Sequence, residues 1–150
     1  MNRMKTTLML SACAAALLLS ACAREEAASY LVGGDQRHSL SLLRETYPWS
    51  SGWDMKLVTT NSPNCLRRHP LKEADDTDFK VELFRPEEGV FILRQADNWY
   101  VTEMGKCQLQ QFKAPPPVPG ERIGQFVEKD GALAFVDAAG KAAPPVSIVR

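Results

Sequence analysis

The sequence is poor in histidine and cysteine and has no excess of charge of either sign. Its 150 residues include two His, four Cys and 18 Lys plus Arg against 18 Asp plus Glu. The charge balance removes the long-range positive field on which non-specific nucleic-acid binding depends, so no nucleic-acid partner is expected. Two histidines, His38 and His69, stand in no spacing that suits a zinc site. The chain has no G-x-S-x-G, no S-x-x-K and no phosphate-cradling glycine loop, since Gly33-Gly34 is only a hinge. After residue 21 no apolar run approaches the roughly 20 residues of a membrane-spanning helix. The length allows one core and excludes a separate cofactor domain beside a substrate domain. No cofactor is expected.

What is present is concentrated at the start. No acidic residue precedes Glu25, Arg3 and Lys5 are followed by an apolar stretch from Leu8 to Leu19, and the run ends in Leu19-Ser20-Ala21-Cys22. A positive start, an apolar core of about a dozen residues and small residues at the break define a secretory signal peptide over residues 1–21. The last four residues resemble the lipobox of bacterial lipoproteins, in which cleavage falls before the cysteine and that cysteine is acylated. A second copy, Leu10-Ser11-Ala12-Cys13, leaves only Thr6 to Met9 as apolar core, too short for secretion, so Cys22 is the expected lipidation site. Beyond the signal the chain resembles small uncharacterised proteobacterial lipoproteins, without a motif that transfers a site.

The resemblance implies a protein held to a membrane through its N-terminal lipid, because two or more acyl chains anchor stably where one does not. Ala23, not Asp, follows the lipobox cysteine. By resemblance to enterobacterial lipoproteins this implies the periplasmic face of the outer membrane. Cleavage removes two basic residues and no acidic one, leaving a mildly acidic chain of 129 residues with 16 basic against 18 acidic. Cys13 leaves with the signal and Cys22 carries lipid, so Cys65 and Cys107 remain as the thiols of an oxidising compartment and are expected to form a disulfide. The absence of C-x-x-C argues against a redox or metal role for them.

Residues 22–36 lack a clear period and read as a lipidated N-terminus and tether. Residues 37–150 read as a β domain with a Pro-rich break at 114–120. His38 to Arg44 and Trp53 to Asn61 alternate polar and apolar residues around Pro48-Trp49-Ser50-Ser51-Gly52, predicting a hairpin. Cys65 to Asp78 reads as loop with room for a short helix near Leu71 to Asp76. From Phe79 to Phe112 four strands are expected as a meander. Val90 to Leu93, apolar on both faces, is its central strand, and Asp97-Asn98 is its tight turn. Asp130-Gly131 predicts a final hairpin, and Val146 to Val149 a short edge strand. No long 3.6-residue period follows the signal. The expectation is a mainly antiparallel β domain of about seven or eight strands, a partly open barrel or a sandwich.

Binding candidates are few. Arg67, Arg68 and His69 form a compact basic cluster beside Cys65 and Pro70, whose guanidinium groups suit carboxylates or phosphates. Expected partners are an envelope protein or an anionic glycan or lipid head group. The competing reading is a solvated loop whose arginines pair with Glu73, Asp75, Asp76 and Asp78. A cation between His69 and these acids is not expected, because Asp75-Asp76-Thr77-Asp78 lacks the glycine and terminal glutamate of a calcium loop. Among the aromatics Tyr47, Trp49, Trp53, Trp99 and Tyr100, Trp49 is the candidate for an exposed contact because it sits in a turn. No nucleophile, base and oxyanion donors assemble. The sequence therefore reads as a non-enzymatic, lipid-anchored periplasmic binding or envelope-assembly module; the alternative is a small envelope hydrolase or glycan-binding enzyme accessory using His69 and nearby acids.

Overall fold

A computed structural model describes residues 22–75 and 79–145. The signal segment, Asp76, Asp78 and the edge strand expected at Val146 to Val149 lie outside the described residues. The described chain is mainly β, in two antiparallel sheets. The first contains β1 (Arg24–Leu31), β2 (His38–Thr46), β3 (Asp54–Asn61) and β4 (Cys65–Pro70), in that order. The second contains β5 (Lys80–Glu87), β6 (Val90–Gln95), β7 (Asn98–Glu103), β8 (Gln108–Gln111), β9 (Glu121–Lys129) and β10 (Ala132–Asp137), in the order β10-β9-β5-β6-β7-β8.

Period-two alternation builds the core. Leu40 and Leu42 of β2 and Met55, Leu57 and Thr59 of β3 face inward from the first sheet, all at 2% exposure or less. Val81, Leu83, Phe91, Leu93, Tyr100, Phe126 and Phe135 meet them from the second. A buried hydroxyl pair, Thr59 and Thr102 at 3.1 Å, bridges the sheets, so each satisfies a polar group that burial would otherwise leave costly. The arrangement is a sandwich and not a closed barrel: β1 and β10 are neighbouring edges along one seam, while β4 and β8 are the edges of the other side.

Eight of the ten strands coincide with the alternating segments of the sequence; β1 and β4 do not. The segment read as a tether is instead β1, paired with β2 from Arg24↔Thr46 to Leu31↔Ser39. Its inward phase is Glu26, Ala28, Tyr30, and a charged residue at the head of that phase conceals the pattern. The segment read as a basic loop is β4, paired with β3 from Asn61↔Cys65 to Lys56↔Pro70, and residues 71–75 form no helix. As an outer strand exposed along most of its length, β4 needs no apolar alternation. The β6–β7 turn is Ala96-Asp97, not Asp97-Asn98, because Gln95 pairs with Asn98. A slip of one residue would turn Tyr100 out of the core. Ala96 accepts a φ of 50° to make that turn.

The Pro-rich break has a topological task. It leaves β8 at one edge and must pass β7, β6 and β5 to enter β9. Phe112 N–H donates to the Trp99 carbonyl at 2.8 Å as the segment departs. Gly120, at φ 93°, ends it against the Arg85-Pro86 backbone, where a Cβ would overlap the Arg85 carbonyl. Proline fixes φ at four of the nine residues that link β8 to β9, and at roughly 3.1 Å per residue such a link reaches at most about 28 Å, enough to cross four strand spacings of about 4.8 Å.

Candidate functional site

The seam between β1 and β10 is closed by charge. Arg44 follows Leu40 and Leu42 in the inward phase of β2 and is 1% exposed, among the most deeply buried side chains described. Its Nε and Nη2 donate to Glu26 Oε2 at 2.8 and 2.6 Å, and its Nη1 to Glu128 Oε2 at 2.9 Å. The guanidinium lies 4.2 Å from the centroid of the Trp53 ring and 5.4 Å from that of Phe79, a cation–π arrangement. Glu26 also accepts the Leu133 backbone N–H of β10 at 2.9 Å, and Arg24 Nη2 donates to the Gly131 carbonyl at 3.0 Å. Burial raises the Glu26 carboxyl, but the hydrogen bonds from Arg44 and Leu133 and the charges of Arg44 and Arg24 outweigh it and bring the group below its ordinary value. Sequence reasoning missed this centre; the signal was an arginine in phase with two leucines. With each guanidinium nitrogen bonded to a carboxylate and Trp53 and Phe79 beside it, it locks the seam.

Further along the same seam the two edges splay into an apolar cleft. A cavity of about 670 Å³ is lined by Tyr30, Leu31, Gln36, Phe135 and Lys141, among others. A second, of about 430 Å³, shares Ser29, Phe135 and Pro144 with it. The residues 142–145 that follow β10 form part of its wall, with Ala143 N–H bonded to the Phe135 carbonyl at 2.9 Å.

The opposite seam carries the predicted cysteine pair. Cys65 and Cys107 are joined as a disulfide, with Cα atoms 6.0 Å apart, tying β4 of the first sheet to the approach to β8 of the second. His69 supports this link: its Nε2 lies 2.7 Å from the Cys107 carbonyl oxygen. A carbonyl only accepts, so Nε2 carries the proton. The other histidine, His38, reaches Asp35 Oδ2 at 3.1 Å. Hydrogen bonds from the Arg37 side chain and backbone hold the Asp35 carboxyl down at about 2.

Arg67 and Arg68 are exposed on β4, and neither guanidinium engages an ion pair among the described residues. The segment is a strand and not a loop, and neither Glu73 nor Asp75 forms an ion pair with these arginines; Asp76 and Asp78, the other acids of the solvated-loop reading, lie outside the described residues. Nor do the two guanidinium groups form a joint phosphate fork. Arg67 pairs with the buried Thr59 and Arg68 with the partly exposed Val58, so the two side chains leave opposite faces of the strand. They flank the edge and do not converge on one small anion. Leu66, 67% exposed, shares the outer face with Arg68.

Trp49 stands apart from this cluster. It is 74% exposed in the β2–β3 turn and stacks on Tyr47, with ring centroids 5.2 Å apart and planes at 19°. Tyr47 donates its hydroxyl to Glu45 Oε1 at 2.7 Å, and this bond raises the phenol above its ordinary value. Trp53 is buried under Arg44, and Trp99 packs on Phe84 on the second sheet. The four residues singled out in the sequence thus divide between a strand edge and a turn. Among the described residues no group of three or more His, Cys, Asp or Glu is placed to hold a metal ion. No protein-family model, curated protein or solved structure matches the chain.

Proposed function

We propose that the protein is a lipid-anchored, non-enzymatic module of the bacterial envelope, acylated at Cys22, held on the periplasmic face of the outer membrane and recruiting an envelope protein through the β4 edge. The observation that carries the binding reading is the pair of exposed guanidinium groups, Arg67 and Arg68, on the two faces of one edge strand, with only the charge of Glu45 bearing on Arg68 among the described residues. A single phosphate or sugar acid meets only one face. An extended acidic polypeptide laid along the edge meets both, adding backbone ladder bonds to charge-assisted ones. The same charges discourage pairing between two copies of this edge, so the strand rejects itself while accepting an acidic partner. The disulfide and the His69 bond brace β4 from behind, which lowers the ordering cost of docking.

The test places a photo-crosslinking residue at Leu66 in the native envelope. The expected result is an adduct with a protein whose crosslinked segment is acidic. The adduct is lost in Arg67→Glu with Arg68→Glu, while the disulfide still forms. Adducts that survive the charge reversal, or that map to basic or glycan material, reject the reading.

A further inference from the structure

Trp49 is a large apolar side chain with no place in the core, held outward by a turn that is itself well fixed. Ser50 N–H donates to the Tyr47 carbonyl at 3.0 Å, and Thr46 Oγ1 donates to the Gly52 carbonyl at 2.8 Å. The ring is further set by its stack on Tyr47. This turn lies where the chain enters the domain. Arg24 pairs with Thr46, the last residue of β2, and only Ala23 separates it from Cys22. Two residues reach at most about 7 Å. The β9–β10 turn joins the same end through the bond from Arg24 to Gly131.

We infer that the Trp49–Tyr47 stack is a membrane-contacting surface, resting in the head-group layer of the bilayer that receives the Cys22 acyl chains. The inference rests on the lipid-anchor reading and adds an orientation to it. An indole and a phenol each combine an apolar ring with a hydrogen-bonding group and favour the boundary between hydrocarbon and water. Glu25, Glu45 and Asp54 bear on the Tyr47 hydroxyl, so carboxylates flank the rings. They limit insertion to the head groups and favour a zwitterionic surface over an anionic one. The domain then stands with its β2–β3 turn toward the membrane.

The full-length processed protein, reconstituted in phosphatidylcholine vesicles with bromine on the acyl chains near the head group, tests the contact. Tryptophan emission in the wild type is expected to contain a bromine-quenched component that disappears in Trp49→Ala. Equal quenching in both proteins assigns the contact to another tryptophan, and no quenching in either leaves the turn in water or against a protein; each overturns the inference. If Trp49→Ala alters the far-ultraviolet spectrum, Trp49→Phe replaces it with the same expectation. Mass spectrometry of the same preparation separates the two levels: an unacylated Cys22 refutes the anchor and the orientation with it, whereas an acylated Cys22 without Trp49 quenching refutes the orientation alone.

Discussion

Replacing Arg44 by methionine removes the central charge of the β1/β10 seam while keeping most of the volume between Trp53 and Phe79. Removing one partner of a buried ion pair costs about 3–5 kcal/mol, because the other charge stays desolvated. Glu128 is half exposed and resolvates, while Glu26 keeps the Leu133 N–H and Arg24, so the low end applies. Loss of the cation–π contact adds up to about 1 kcal/mol, which methionine partly returns through its own contact with the rings. The net expectation is about 3 kcal/mol, a large share of the roughly 5–15 kcal/mol that holds a domain together. With an m-value of about 2 kcal/mol/M this moves the urea midpoint down by about 1.5 M. Glu26→Gln preserves an acceptor for Leu133 and costs about 2 kcal/mol. The double variant should fall short of the sum by about 1–2 kcal/mol, since the two residues share one interaction. The pH dependence follows from the depressed Glu26 carboxyl. Its contribution is full above the ordinary value of 4.5 and drains as pH falls through the lower folded value. In Arg44→Met this acid limb shrinks, because burial then opposes fewer favourable contacts. A loss below 1 kcal/mol in Arg44→Met, or additivity of the two substitutions, refutes the account of Arg44 as the seam's lock.

Two further outcomes are expected. Replacing Cys65 and Cys107 together by serine opens a covalent loop of 42 residues' separation and should lower stability by roughly 4 kcal/mol in the chain-entropy model, read as the urea midpoint of the variant against the oxidised wild type. Gly124→Ala places a Cβ 2.7 Å from the Phe135 ring and into the Val136 carbonyl, both on the neighbouring strand β10. Overpacking of this kind costs about 1–3 kcal/mol. Thermal melts check it: Gly124 lies outside the left-handed region, so its substitution reports crowding, whereas Gly89→Ala, at φ 75° with nothing near the added methyl, reports backbone strain without crowding.

The parts of this fold that were legible in the sequence are those whose information is local. Met55, Leu57 and Thr59 announce β3 by their phase alone, and Asp130-Gly131, both at positive φ, announce the last hairpin. The cysteine pair followed from counting the thiols that the expected signal peptide and lipidation leave over. What escaped depends on partners distant in the chain. Glu26 breaks the apolar phase of β1 because its complement is Arg44, 18 residues on, with Glu128 completing the set 84 residues beyond that. β4 escaped for the opposite reason, since an edge strand exposed along most of its length has no buried face to leave a period. The basic residues of β4 were visible as a cluster, but their division onto two faces required knowing that the segment is extended.

The order β1-β2-β3-β4 has a mechanical consequence. In the proposed reading the lipid anchor leads into β1 and the partner docks on β4, so the first and last strands of a single four-stranded sheet carry the two attachments. Tension between them runs across three hydrogen-bonded ladders, at right angles to the strands, and loads every rung in turn. The six-stranded sheet lies outside that line of force and serves as a backing plate, coupled to the loaded sheet covalently at Cys65 and by the Arg44–Glu128 salt bridge. Under load the first element to part is therefore expected to be β1, which takes the pull directly and, unlike β4 at the other end of the sheet, has no covalent tie across the sandwich.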